Sequence, residues 1–326
     1  MNSFGRLFRF SIFGESHGPG LGVLLDGVPP GISLGAKDFL PDITRRRSGA
    51  PGTTPRQEAD TPLLESGCHL GRTTGAPLLI RFENKATQSR DYEAFSQQPR
   101  PGHADWTARV KYKGCHDPRG GGHFSGRLTL GLVAAGVVAK KVLAGVVIQA
   151  RLLSVGGRLD QEAAVSEAMG RGDSLGGLVA CRVDKLPPGL GEPFCDSLES
   201  LLAHLLFAIP GVRGVEFGDG FAAADMSGSA HNDCIVDETG RTATNHCGGV
   251  NGGISNGNPL AFQVAFKPTA SICAVQDTHH FGHKRVEALR VGGRHDACFA
   301  LRTPVIVEAA AALVLADLVL LHRGPC

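Results

Sequence analysis

Histidines set among glycines and prolines are the residues of this sequence best placed to do chemistry. His17 stands in Gly14-Glu15-Ser16-His17-Gly18, directly after an apolar alternation. A side chain on such a turn reaches a ligand and can give it a proton, although a histidine that only caps its own turn has the same signature. His103 stands in the rigid run Arg100-Pro101-Gly102-His103-Ala104-Asp105. Further on, Asp117-Pro118-Arg119-Gly120-Gly121-Gly122-His123-Phe124-Ser125-Gly126-Arg127 leads into an apolar stretch. A glycine-rich loop that opens a helix offers free backbone amides and a positive helix end, which suits phosphate. No Gly-Lys-Ser/Thr follows, so the loop is not of the Walker A type.

Cations accompany these histidines. Arg45-Arg46-Arg47, with Arg56 nearby, fits a solvated charge run, a nucleic-acid patch, or a site for phosphate or carboxylate, anions that match the guanidinium fork. No basic stripe with interleaved aromatics supports the second use. Lys267-Pro268-Thr269-Ala270-Ser271 ends an apolar alternation with a cation and two hydroxyls, and Arg294-His295-Asp296-Ala297-Cys298 follows Gly292-Gly293. Asp277, His279, His280 and His283 form a small cluster. A metal-dependent hydrolase would use it, but the spacing matches no common ligand signature, and solvated loop histidines are the more frequent case. Gly218-Asp219-Gly220 resembles a dinucleotide fingerprint without the helix that must follow one.

The elements that position these residues belong to a globular protein. The chain has 326 residues, 42% hydrophobic and 20% charged, with a net charge of +2. That balance points to neither a nucleic-acid binder nor an acidic tail, so cationic function must come from local clustering. Nine cysteines occur without a Cys-x-x-Cys, which argues for free thiols in a reducing compartment and a cytoplasmic enzyme. Residues 1–13 lack the uninterrupted apolar core of a signal peptide. The apolar stretches 128–139 and 309–316 fall short of the roughly 20 residues of a membrane span and read as buried core helices. Forty-five glycines, about twice the usual share, cluster at 18–22, 120–122, 248–253 and 291–293.

Alternation predicts strands over 7–13, 21–25, 77–82, 146–150, 178–183 and 260–266. Helices are predicted over 128–143, 161–169, 198–209 and 305–322, the third capped by Asp196 and stopped by Pro210, the last opened by Pro304. The fold class is α+β, or a layered α/β body, in a single domain over 1–326. Asp26-Gly27-Val28-Pro29-Pro30-Gly31 recurs as Asp184-Lys185-Leu186-Pro187-Pro188-Gly189. Gly71-x-x-x-Gly75-x-Pro77-Leu78 recurs as Gly253-x-x-x-Gly257-x-Pro259-Leu260, in the same order. A duplicated unit with pseudo-two-fold symmetry explains both pairs.

Taken together, the motifs resemble the chorismate synthase family over nearly the whole chain. The resemblance is carried by Phe13 to Gly18, Asp26 to Gly31, the arginine triplet 45–47, Arg100 to Asp105 and the glycine loop 119–127. It continues through Gly252-Gly253-Ile254-Ser255, Lys267-Pro268-Thr269 and Gly293-Arg294-His295-Asp296. It implies a layered β-α-β sandwich, usually a homotetramer, with no nucleic-acid or membrane partner. It implies conversion of 5-enolpyruvylshikimate 3-phosphate to chorismate by net anti elimination of the 3-phosphate and a ring hydrogen. Reduced FMN is required, and NADPH enters only indirectly, through flavin reduction by the protein itself or by an external reductase. The substrate carries roughly four negative charges. By resemblance, His17 gives a proton to the departing phosphate, His103 protonates the reduced flavin, and Asp296 manages the proton on the flavin nitrogen. Arg45, Arg46, Arg127 and Arg294 bind anions. His123, Phe124, Ser125, Pro210, Gly211, Gly252, Lys267, Pro268, Thr269, Ala270, Ser271 and Arg294 line the flavin. The loop departs from the family's usual Arg-Ser-Ser-Ala-Arg, reading His123-Phe124-Ser125-Gly126-Arg127 here, and the region 149–177 is shorter than in many members.

Overall fold

The computed structural model describes residues 2–87, 89–293 and 295–323. Its first half runs through β1 (Ser3–Phe4), β2 (Arg9–Gly14), β3 (Gly20–Asp26), α1 (Ala36–Arg46), β4 (Leu63–Leu64), β5 (Cys68–His69), β6 (Arg72–Thr73), β7 (Leu78–Glu83), α2 (Asp105–Lys111) and α3 (Thr129–Val142). The second half continues with β8 (Val147–Val155), α4 (Gln161–Gly170), β9 (Gly177–Asp184), α5 (Leu198–Ala208), β10 (Val212–Phe217), α6 (Gly228–His231), β11 (Val250–Asn251), β12 (Ile254–Ser255), β13 (Leu260–Phe266), β14 (Gln276–His280), β15 (Arg285–Leu289) and α7 (Pro304–Arg323).

Two antiparallel sheets hold the strands in the orders β1-β2-β3-β7-β4 and β10-β13-β9-β8. Read in opposite directions, β2-β3-β7-β4 and β8-β9-β13-β10 are the same arrangement. Helices α1 and α5, hairpins β5–β6 and β11–β12, and helices α3 and α7 occupy matching places between and after them. The two Pro-Pro-Gly turns are held identically. Gly31 donates its amide to the Thr73 carbonyl and Gly189 to that of Ser255, both at 2.8 Å. The Thr73 hydroxyl donates to the Pro29 carbonyl and the Ser255 hydroxyl to that of Pro187, both at 2.7 Å. The duplication expected from the motif pairs is therefore present in the topology and in its hydrogen bonds.

Alternation explains why the sheets are one-sided: β13 buries Leu260, Phe262, Val264 and Phe266 and turns the intervening residues outward. The buried faces meet α3 and α7, which pack on each other and on both sheets. Apart from Lys140 and Lys141 on α3, and Glu308, Asp317 and the last turn on α7, these helices are apolar around most of their circumference, as helices enclosed between two layers must be. At Gly136 an added Cβ would sit 2.4 Å from the Ala309 Cβ, so the two helix backbones touch there. One hydrophobic cluster spans both halves.

Several expectations need adjustment. The stretch 309–316 belongs to a helix of 20 residues, long and apolar enough to cross a membrane by length and composition, yet 83% of its apolar window is buried inside the protein. Its Glu308 accepts bonds from Arg45, Lys140 and the Ala150 amide. Its Asp317 accepts the amides of Arg6, Leu7 and Phe8. That last contact is why β2 starts at Arg9 and not at Leu7. Helix α5 is capped by Ser197, whose hydroxyl accepts the Ser200 amide at 3.0 Å, while Asp196 pairs with Arg6. Helix α1 escaped the pattern reading because Pro41 interrupts it, although Phe39 and Ile43, four residues apart, are both buried.

Candidate active site

A cavity of about 1130 Å³ opens between the two halves. Its walls come from the loop after β2, the C-terminal end of α1 with the segment behind it, the His103 and glycine loops, the end of α5 with the start of β10, residues 267–271, and the segment before α7. Among the described residues, eight cationic side chains line it: Arg46, Arg47, Arg56, Arg100, Arg127, Arg213, Lys267 and Arg302. Only three carboxylates do so: Glu58, Asp60 and Asp296. A chain of nearly balanced charge thus concentrates its positive excess in one concavity, where field lines focus.

The arginines are held by buried partners. Arg46, 3% exposed, donates to the Thr129 hydroxyl and to the carbonyls of Gly126 and Arg127, each at 3.1 Å, and lies 3.8 Å from Asp60. Burial, with Arg302 and Arg127 nearby, pushes its pKa down to about 9 despite Asp60. Arg127 donates to Asp60 at 2.8 Å and to Asn84 at 2.9 Å, and its second terminal nitrogen is buried without a hydrogen-bond partner. Arg56 binds the Ser16 hydroxyl and carbonyl and pairs with Glu58. Burial opposes ionisation of Glu58, but Arg56 and the amides of Lys85 and Ala86 outweigh it and lower its pKa. Asp296 accepts the Thr54 amide at 2.9 Å and Arg302 at 2.7 Å, so both its oxygens are engaged.

His103 sits on the tight turn before α2. Its Nδ1 lies 2.6 Å from Asp105 Oδ1 and 3.0 Å from Arg100. Burial lowers the His103 pKa and Arg100 adds to this, against the pull of Asp105. Asp105 itself resists burial through the hydrogen bonds of Arg100 and His103, which hold its carboxyl well below the usual range. Next to His103, Lys267 donates to the Gly102 carbonyl at 3.2 Å, and burial together with Arg213 lowers its pKa. Arg213 projects from a bulge in β10, between Val212 and Gly214, the kind of irregularity that re-aims a side chain.

His17 is 8% exposed and stands just behind the cavity wall, edge-on to Tyr92 at 5.2 Å and beside the lining residues Ser16 and Gly120. A Cβ at Gly120, whose φ is +61, would come within 2.6 Å of His17 Nε2, so only glycine lets the loop cover this ring. His123 reaches the Gly14 carbonyl at 2.8 Å through Nδ1 and lines the cavity with Phe124 and Ser125. Pro210, Gly211 and the whole 267–271 segment line it as well.

Besides His17, two of the expected site residues that the structure describes do not line the cavity. Arg45 does not line the cavity: it binds Glu308 through two bonds of 2.7 Å, because neighbouring residues of a helix face different sides and Arg46 takes the inward one. Gly252 lies outside the cavity, in the turn of the β11–β12 hairpin, where φ is +60; its counterpart in the first half is Leu70, with φ +47. A positive φ in that turn suits a glycine. Arg294 lies outside the described residues. Of the histidine cluster, His280 and His283 join Glu287 with ligand-capable atoms within 4.8 Å of one another, on the β14–β15 hairpin, while His279 packs on Phe281. None of them lines the cavity. The reading passed over Tyr92, Arg213, Arg302 and the Glu58 and Asp60 carboxylates, and it named Arg47, Arg100 and Asp105 only as parts of motifs, without roles of their own. Only the Asp two residues beyond His103 carried a local signal.

The chorismate synthase family model matches residues 8–320. A chorismate synthase of Chitinophaga pinensis is 57% identical over 324 residues, covering 99% of this chain and 98% of its own. Those of Dehalococcoides mccartyi and Pyrococcus abyssi are each 42% identical over 98% of this chain, covering 96% and 98% of their own. A crystal structure of chorismate synthase superposes with a TM-score of 0.75 at 25% identity, over 98% of this chain and 94% of that one. A cation-lined cavity between two duplicated halves and relatives matched from end to end agree: the chain belongs to the chorismate synthase family of carbon–oxygen lyases.

Proposed function

We propose that the chain, as one folding unit, forms chorismate from 5-enolpyruvylshikimate 3-phosphate by eliminating the 3-phosphate and a ring hydrogen in anti fashion, with reduced FMN in the same cavity. The observation that carries this reading is the excess of eight cations over three carboxylates around one cavity of about 1130 Å³. That volume exceeds the 300–1,000 Å³ typical of a pocket for one small molecule, so a trianionic or tetraanionic substrate and a flavin can share it. The donor set fits a phosphorylated flavin: Lys267 and Arg213 have no carboxylate partner among the described residues, and the Thr269 hydroxyl is buried without a hydrogen bond.

Residues 123–125, 210–211 and 267–271 would hold the cofactor, which supplies an electron-rich ring system next to the substrate. The protein's own part is electrostatic and acid–base. Arg46, Arg56 and Arg127 stabilise charge on the departing phosphate through donors held in place beforehand. His17, close to Ser16 and Gly120, serves as proton donor to that phosphate. His103 keeps one ring nitrogen against Asp105 and exchanges a proton at the other. Asp296, held by Thr54 and Arg302, fixes the wall on which the cofactor rests.

A homotetramer, and flavin reduced by an external enzyme, belong to the same proposal. The test is an anaerobic assay for chorismate. Turnover is expected with reduced FMN and is expected to vanish with oxidised FMN. Equal turnover by the cofactor-free protein would overturn it.

A further inference from the structure

We propose that Asp105 and Arg100 are positioning residues that fix His103 in the tautomer protonated on Nδ1, so that Nε2 is the nitrogen through which it exchanges protons. The assignment follows from what each polar atom can do. Asp105 Oδ2 accepts the Arg100 backbone amide at 3.0 Å and Arg100 Nε at 2.8 Å. Asp105 Oδ1 accepts the Arg100 terminal nitrogen at 2.7 Å and faces His103 Nδ1 at 2.6 Å. A bare Nδ1 would set its lone pair against a carboxylate lone pair at that separation. A protonated Nδ1 turns the same contact into a charge-assisted hydrogen bond. The Arg100 terminal nitrogen has a second hydrogen and lies 3.0 Å from Nδ1, a contact that favours a bare Nδ1, but the Asp105 contact at 2.6 Å is the shorter and is made to a full anionic charge, so it sets the tautomer.

Arg100 keeps the carboxylate ionised and in place. It is 2% exposed, stacks over Phe95 at 4.4 Å, and donates its remaining terminal nitrogen to the Ser271 hydroxyl at 2.9 Å. The loop that lines one side of the cavity is therefore tied to the group that orients His103. The other charged or titratable groups near the ring are Lys267 and His295 on the cavity side, and His116 and Asp117 on the opposite side. None of these is bonded to Nδ1.

The consequence for turnover rests on the proposed function, whereas the tautomer does not. Long-range proton–nitrogen NMR spectra of histidine-labelled protein read the tautomer directly. In the parent, the neutral His103 ring is expected to be protonated on Nδ1. A ring protonated on Nε2 would overturn the proposal without any variant. In Asp105→Asn, Arg100 claims the amide oxygen, so the amide nitrogen faces the ring and the tautomer is expected to switch. Asp105→Ala is expected to lower the titration midpoint of His103, because the carboxylate that favours the protonated ring is gone. Chorismate formation is expected to fall at least about tenfold in both, with the alkaline limb of its pH profile, where the proton donor is lost, moved to lower pH in Asp105→Ala. An unchanged tautomer and midpoint in folded Asp105→Asn and Asp105→Ala would sink the assignment. Absence of chorismate formation in the parent would strike the proposed function and leave the spectrum to decide this point.

Discussion

Asp60 Oδ1 accepts a hydrogen bond from Arg127 at 2.8 Å, while the other Asp60 oxygen lies 3.8 Å from Arg46, with all three side chains buried. One carboxylate thus stands between two guanidinium groups in the cavity wall. Removing it leaves two buried cations facing each other. Asp60→Ala is expected to lose about 3–5 kcal/mol of stability, the usual cost of breaking a buried pair from one side. Urea unfolding at neutral pH measures it, and a loss below about 1 kcal/mol would show that the arginines reach water by another route.

Glu308 ties α7 to α1, α3 and β8. Burial opposes its ionisation, but Arg45, Lys140 and the Ala150 amide prevail and hold its pKa below the ordinary 4.5. The stability it contributes is complete above about 4.5 and is lost as pH falls through the lower, folded value. Glu308→Gln is expected to flatten the dependence of stability on pH in that acid range. Parallel curves for variant and parent, from thermal unfolding at stepped pH, would contradict the linkage.

His103→Ala and His17→Ala are each expected to lower turnover by about two to four powers of ten, the range supplied by a positioned proton donor. Far-ultraviolet circular dichroism should stay as in the parent. Near-normal turnover in either variant would remove that histidine from the chemistry. For His17 the same substitution also removes packing against Tyr92, so some loss of thermal stability is expected alongside.

Where α3 and α7 cross, Gly136→Ala would press a methyl group to 2.4 Å from the Ala309 Cβ and 2.6 Å from its Cα. Neither helix can yield without disturbing a sheet. The expected cost is about 1–3 kcal/mol, typical of an overfilled core. A thermal midpoint equal to the parent's would show that the crossing has slack.

Much of this architecture was legible from local patterns. Period-two alternation located β3, β7, β9 and β13 nearly to the residue, and the apolar runs located α3 and α7. The paired Pro-Pro-Gly motifs revealed the duplication because turn residues are constrained by backbone geometry that persists while side chains drift. The site was legible where motif and wall coincide, at His103, 123–125, 210–211 and 267–271. It was not legible where a role depends on direction. Nothing in Arg45-Arg46-Arg47 tells which guanidinium turns inward until the run is known to end a helix. Arg213 and Arg302 come from segments without a motif, and they reach the cavity through a strand bulge and a short turn before α7. Gly252 is a motif glycine whose residue type is also suited to the positive φ of its hairpin turn.

Asp317 has a consequence for the order in which the protein assembles. Its bonds to the Leu7 and Phe8 amides join residues 310 and 309 positions apart, and its helix also packs on α3, β8 and α5. Every element of both sheets is translated before that helix. During synthesis α3, apolar around most of its circumference, therefore waits with one flank uncovered, and β2 lacks the anchor that starts it. Folding of the nascent chain cannot close from the front. It closes when α7 arrives, which makes for slow, high-contact-order folding and a period in which the emerging protein depends on protection from aggregation.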